Sequence, residues 1–159
     1  MVQYGDQAFA ERAFCDVDVL ILAQLSYFDF GSAVPTIAQH KKSVTLEEID
    51  RTADLSAVFA DKWYGENNRK LWNALLAGRR FRTMRCNYYR ERMEEEQEAQ
   101  FGAVTFFPEG CEPVVAFRGT DDSVVGWKED FRLAFRKPLA SHEMSSVNLN
   151  QVGCKLPRA

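Results

Sequence analysis

The sequence predicts an α/β fold in which a small mixed sheet is flanked by helices. Apolar residues recur at helical spacing within residues 17–28 and 66–77. Apolar and polar residues instead alternate over residues 83–93 and 101–107, which predicts an antiparallel hairpin. The unbroken apolar run at 114–117 is typical of a central strand buried on both faces. The expected sheet is therefore a hairpin plus one central strand.

Capping residues and a glycine indicate where the predicted helices begin and end. Asp16 is available to cap the first helix, which we expect to be largely buried because apolar residues extend beyond one stripe. Thr45 and Glu48 form a capping-box pattern that opens a short helix through about Ala53. Gly78 is expected to end the helix at 66–77 in a left-handed conformation.

Two charged features extend this outline. Arg79 and Arg80 follow the helix at 66–77, and the dipole of a helix favours cations at its C-terminal end. Asp122 or Ser123 is placed to cap a further helix over residues 123–135. Residues 137–159 show neither the helical nor the strand spacing of apolar residues, and we expect a poorly structured tail there.

Composition narrows the function classes. The chain has 159 residues, the length of one ordinary domain, with 46% hydrophobic residues, a formal net charge of -3 and a pI near 5.5. This charge gives no field that attracts nucleic acid.

No apolar run approaches the roughly 20 residues that span a bilayer, and the first residues do not resemble a signal peptide, so a cytoplasmic protein is expected. The four cysteines form no C-x-x-C pair, so we expect free thiols, no metal and no cofactor.

The segment VVAFRGTDDSVVGWKEDF at 114–131 contains the main candidate site. Its strand delivers Arg118, Gly119 and Thr120 to its carboxyl end. Such a strand end suits ester chemistry, because a backbone amide and a neighbouring hydroxyl can both donate to a developing oxyanion. The plainer alternative is an ordinary turn in which Arg118 pairs with Asp121 or Asp122.

Four segments of the chain carry a resemblance to a known family. They are LILAQLSYFDF (20–30), NNRKLWNAL (67–75), FGAVTFF (101–107) and VVAFRGTDDSVVGWKEDF (114–131). Together they resemble the class 3 lipase-like α/β hydrolases, and within them a bacterial branch. They occur in the family's order within residues 15–136, and the last is the most specific. The resemblance implies that Thr120 is the oxyanion-hole residue, that Asp130 supports it, that Gly119 and Trp127 line the substrate cleft, and that the substrate is an acyl ester or lipid.

The chain departs from this family in one respect. Serine hydrolases of this type place the nucleophile on a G-x-S-x-G elbow, and these 159 residues contain none. We therefore expect residues 1–136 to be the N-terminal part of a hydrolase domain truncated before its serine, inactive alone, followed by a divergent tail at 137–159. The alternative is a non-catalytic remnant or protein-interaction module. Because further strands would be missing, self-association through an exposed sheet edge is also expected.

Three weaker patterns have simpler explanations. The basic stretch at 69–85 has the composition of a nucleic-acid patch, but a helix end and a solvated strand face account for it. The acids at 121–130 lack the regular alternation of a calcium loop. His40 and His142 leave a pairing with a cysteine or serine open, although no neighbouring residue supports one.

Overall fold

The computed structural model describes residues 2–60, 64–94, 99–119 and 140–156. Short helices dominate the first half of the chain, a hairpin and one further strand follow, and a long helix comes last. The predicted helix at 123–135 lies outside the described residues. The helices are α1 (Val2–Gly5), α2 (Asp16–Leu25), α3 (Leu46–Thr52), α4 (Leu55–Val58), α5 (Gly65–Ala77), α6 (Arg79–Arg82) and α7 (Ala140–Gly153), and the strands are β1 (Val44–Thr45), β2 (Arg85–Glu94), β3 (Ala99–Phe107) and β4 (Val114–Phe117).

Helix α2 differs from its prediction at its start and in its burial. Cys15, one residue before the expected cap Asp16, is the N-cap, and the Asp18 carboxylate accepts a hydrogen bond from the Cys15 backbone N–H. Its outer side is solvent-exposed, with Leu20 at 71% exposure and Val17 at 45%. The helix is therefore buried along one stripe only, because no described element covers the other face.

The capping box before α3 is confirmed. Glu48 N donates to Thr45 Oγ1 over 3.1 Å, and Thr45 N donates to a Glu48 carboxylate oxygen over 2.7 Å. The end of α5 differs from its prediction, because Gly78 is extended, with φ −99° and ψ 165°, and not left-handed. A side chain at this position would collide with the backbone of Gly5, so close packing explains the glycine.

The sheet has four strands in the order β1-β2-β3-β4, and every neighbouring pair is antiparallel. The predicted hairpin is confirmed as β2 and β3. Within the described ranges the sheet is antiparallel and not mixed as expected, because the chain returns from β3 to β4 through a short turn rather than a crossover. The strand at 114–117, expected at the centre of the sheet, is an edge strand among the described residues, since β4 pairs there with β3 alone.

The two faces of the sheet are covered by different parts of the chain. Val104 and Phe106 of β3 belong to the main core with helices α2 to α6. Phe101, Ala103 and Thr105 alternate with them, are also buried, and face the opposite side. There, α7 packs on β3.

Helix α7 occupies most of the segment expected to be poorly structured. Its less exposed residues are Ser141, Met144, Ser145, Asn148 and Val152, which share one side of a helix. Because this stripe contains mostly small and polar side chains, hydrophobic periodicity does not reveal it.

Candidate functional site

The FRGT motif at the end of β4 is held by a row of residues that crosses three strands. Glu91 of β2 is paired with Gly102 of β3, and the Arg118 backbone N–H donates to Gly102 O over 2.9 Å. The Arg118 side chain extends across Gly102, so that its Nη1 donates to Glu91 Oε1 over 2.7 Å. The ion pair is partly shielded, with side-chain exposures of 10% and 35% for Arg118 and Glu91.

The close crossing of the Arg118 side chain leaves little room for a side chain at Gly102. A Cβ at Gly102 would lie 3.0 Å from Arg118 Cβ and 3.2 Å from Arg118 Nε. Among the described residues, the buried Arg118 Nε atom has no hydrogen-bond partner, whereas Nη1 is bound to Glu91. At least one of the five guanidinium donors is therefore unsatisfied within the part of the chain that the structure describes.

Tyr89 holds Glu91 from the other side. A β-bulge between Asn87 and Arg90 places Tyr88 at φ 56°, and the Asn87 side chain accepts a hydrogen bond from Tyr88 N over 2.7 Å. The bulge turns Tyr89 into the core, where its hydroxyl donates to Glu91 Oε2 over 2.8 Å. Burial, and then the negative charge of Glu91, raise the pKa of the Tyr89 hydroxyl well above its ordinary value, so it stays protonated and donates.

Gly119, the next residue after Arg118, lies against the segment that follows α2. A Cβ at this position would approach the Tyr27 hydroxyl oxygen to 2.8 Å. Tyr27 is 40% exposed, so this contact borders solvent. The strand end is therefore placed between the Arg118–Glu91 ion pair and Tyr27.

Of the site residues predicted from the sequence, one lies inside the described part of the chain and three lie outside it. Gly119 lies in the row just described, whereas Thr120, Trp127 and Asp130 lie outside the described residues. The oxyanion and substrate-cleft roles inferred for these residues stay predictions. Arg118 forms its ion pair with Glu91. Asp121 and Asp122, its partners in the plainer alternative, lie outside the described residues, so that pairing stays a prediction.

Comparison with known proteins places this region in a family. A family model described as Mbeg1-like matches residues 75–159, which is more than half of the chain. The chain belongs to the Mbeg1-like family. This family is lipase-like and related to the α/β hydrolases. No curated protein and no solved structure matches the chain at a significant level.

The Mbeg1-like match includes the whole Glu91–Arg118 row and helix α7. It also continues past residue 136, where the sequence resemblance was expected to stop, and reaches residue 159. The Mbeg1-like region therefore contains strands β2, β3 and β4 and the helix that packs on β3, whereas β1 lies outside it.

Glu91 and Tyr89 were not predicted as site residues. They lie on another strand, and 27 residues separate Glu91 from Arg118. The signal that points to them is Gly102, a glycine inside a strand, because such a position often marks the close approach of another group.

The described part of the chain has no cluster of metal-ligating side chains and no membrane-spanning helix. No three His, Cys, Asp or Glu side chains are grouped there to hold a metal ion. All four cysteines are free thiols, and the pKa of Cys86 is raised by burial. Within the same ranges, no helix is long and apolar enough to cross a bilayer.

Proposed function

We propose that this chain supplies the oxyanion-hole part of an acyl-ester or lipid hydrolase with an α/β-hydrolase-like fold. The observation that carries the proposal is the Arg118–Glu91 ion pair across Gly102, which fixes the backbone immediately before Thr120. Oxyanion donors stabilise a transition state only when they are held in place before the reaction. Membership of a lipase-like family supports the same assignment.

In this proposal, each residue of the motif has a separate role. The Thr120 backbone N–H donates to the developing oxyanion. The Thr120 hydroxyl has one proton, which it donates to the Asp130 carboxylate before substrate binds and to the oxyanion in the transition state. Gly119 allows close approach of the substrate carbonyl. Trp127 borders the acyl group. Glu91 and Tyr89 act as positioning residues through Arg118.

The nucleophile has to be supplied by residues other than these 159, because the sequence contains no G-x-S-x-G elbow. The test therefore joins this chain to the serine-containing segment of a lipase-like protein, by fusion or co-expression, and measures the hydrolysis of chromogenic esters. We expect activity that Thr120→Ala lowers by less than the about 100- to 1000-fold of a deleted oxyanion donor, since the backbone amide survives. Asp130→Asn should have a smaller effect.

The matched control is Thr52→Ala, which removes an exposed hydroxyl that donates only to Glu48 O within α3. It should leave turnover unchanged. Full turnover by a folded Thr120→Ala variant on every ester tested would contradict the oxyanion role.

A non-catalytic interaction module is the second candidate, and the sheet edge favours it. Among the described residues, β4 has one neighbouring strand, and an unpaired strand edge is a template for pairing with another chain. Self-association through β4 should then give a sedimentation coefficient that rises with concentration. Val115→Lys, within β4, should reduce the association. The control is Val147→Lys on α7, where the valine is 47% exposed, and this change should leave the association unaltered. A monomer at all concentrations would exclude this contact.

A further inference from the structure

A cavity of about 790 Å³ lies at the outer edge of β2, on the side away from β4. Its walls come from the loop at 31–38, from Tyr89 to Glu91 of β2, and from the end of α7. This volume lies within the range of roughly 300–1,000 Å³ that is usual for small-molecule sites. The cavity shares Tyr89 and Glu91 with the support of Arg118, whereas Arg118 and Gly119 are not among the described residues that line it.

The walls of this cavity are joined to one another by specific contacts. The Tyr89 backbone N–H donates to Pro35 O over 3.0 Å, which fixes the loop against β2. Arg90 Nη1 donates to Gln151 Oε1 over 3.4 Å, which connects β2 to α7. The Val152 side chain of α7 is 1% exposed and anchors the end of the helix. The cavity is therefore a built feature of the fold, formed where three elements meet.

Positive charges outnumber negative charges in the lining of the cavity. Arg90 and Lys155 both line it, and neither has a carboxylate partner among the described residues. The single carboxylate in the lining, Glu91, is already neutralised by Arg118 and receives the Tyr89 hydroxyl. An anion is favoured here, because the two cations have no counter-charge among the described residues.

The rest of the lining is suited to an apolar group. Ile37, Ala38 and the ring of Tyr89 contribute apolar surface. Tyr89 is rigidly placed, since it packs edge-on against Phe30 with ring centroids 5.9 Å apart. A ligand that satisfies both parts of the cavity has an apolar body and a single anionic end.

We propose that this cavity is a binding site for a small amphipathic anion, with a carboxylate or phosphate-monoester head on Arg90 and Lys155 and an apolar body against Ile37 and Tyr89. The site does not depend on Thr120. Cys154 also lines the cavity and is exposed, so its thiol reports on occupancy. Cys111 lines a different cavity and provides an internal reference.

The experiment measures the alkylation rates of Cys154 and Cys111 in the same sample by peptide mapping, with decanoate or decyl phosphate as the probe. Either probe should slow labelling of Cys154 and leave Cys111 unchanged, and the stronger of the two identifies the preferred head. Decanol and decyltrimethylammonium should protect at least tenfold less well at equal concentration. Protection of Cys154 by decanol or by the cation as effectively as by the anions would overturn the proposal, as would no protection by either anion.

Variants separate the anion site from general apolar binding. Arg90→Gln and Lys155→Gln should each raise the Kd of the anionic probe about tenfold, the loss expected for one charge-assisted hydrogen bond. Lys42→Gln, at an exposed position outside the cavity, is the matched control and should leave Kd unchanged. Thr120→Ala should also bind normally, so failure of this site is distinguishable from failure of the hydrolase proposal. An unchanged Kd in a folded Lys155→Gln and a folded Arg90→Gln protein would contradict the assignment.

Discussion

Arg80 and Asp18 form a bidentate ion pair whose side chains are both fully buried, although 62 residues separate them in the chain. Nε and Nη2 of Arg80 donate to the two Asp18 carboxylate oxygens over 2.7 and 2.6 Å. The other guanidinium N–H groups donate to the carbonyl oxygens of Gln7, Arg12 and Ala13. All five donors of this side chain are therefore satisfied, and the pair fastens the N-terminal segment to α6.

Loss of one partner of this pair should destabilise the protein strongly. Arg80→Met leaves the Asp18 carboxylate buried without its counter-charge, so we expect a loss of about 3–5 kcal/mol in urea unfolding. The neighbouring Arg79 is the matched control. Its ion pair with Glu11 is exposed, at 61% and 49%, and Arg79→Met should cost less than about 1 kcal/mol. Equal losses in the two variants would contradict the structural role of Arg80.

The same pair should make stability depend on pH. Burial alone would raise the pKa of Asp18, but hydrogen bonds from Arg80, Tyr4 and the Cys15 backbone outweigh it and hold the pKa below its usual value. A carboxyl with a lowered folded-state pKa contributes stability that is complete above the unfolded-state pKa of about 3.9 and is lost as pH falls through the folded value.

Asp18→Asn removes this titration. The difference in unfolding free energy between the native protein and this variant should be constant from about pH 5 to 7 and should narrow below about pH 4. Urea unfolding at a series of pH values measures it. A difference that widens towards low pH would contradict the direction of the Asp18 shift.

Two buried asparagines should respond to the same substitution in opposite directions. Both polar atoms of the Asn148 side chain are buried between α7 and the sheet, and neither has a partner among the described residues. Asn148→Leu should stabilise the protein by about 1–3 kcal/mol, because an unsatisfied polar group is removed. The Asn87 side chain is equally buried but binds Lys41 O and Tyr88 N, so Asn87→Leu should destabilise by a similar amount. Thermal unfolding of the two variants compares them, and a destabilised Asn148→Leu protein would show that Asn148 has a partner.

The sequence predicts the elements whose side chains follow a clear period, and misses those whose contacts are distant. Helix α5, the capping box of α3 and both hairpin strands are read from local patterns. Helix α7 is missed because Ser145 and Asn148 occupy positions where apolar residues are expected. Arg80 was expected as a surface cation at a helix end, and no local pattern reveals a partner 62 residues away.

The candidate site shows the same division. The strand end with Arg118 and Gly119 is evident from the motif, because four adjacent residue types have a joint chemical use. Its support by Glu91 is not evident, since it depends on the register between β2 and β3 and on a bulge at Tyr88. Register is set by pairing across strands, which a pattern within one strand does not specify.

The crossing of Arg118 over Gly102 provides the next prediction. Gly102→Ala should displace the Arg118 side chain and destabilise the protein by about 1–3 kcal/mol, as overpacking of a filled site does. Gly153→Ala is the control, because a Cβ there has nothing within 4 Å, and it should be neutral or stabilise by up to about 1 kcal/mol. The double variant Gly102→Ala/Arg118→Ala should recover part of the loss. No loss in Gly102→Ala would show that Arg118 has room to move.

The last prediction concerns catalysis by these 159 residues alone. We expect no hydrolysis of short or medium chromogenic esters above background, because the chain contains no serine elbow. An oxyanion hole without its nucleophile retains some catalysis only when the rest of the site is assembled and binds substrate. In the described part of the chain, no hydrogen bond connects the ring of His40 or His142 to a cysteine or serine, so neither supplies a base for another nucleophile. The assay compares the chain with its Thr120→Ala variant, which should be equally inactive. Turnover that is abolished by modifying one serine or cysteine would overturn this prediction and identify a nucleophile within the chain.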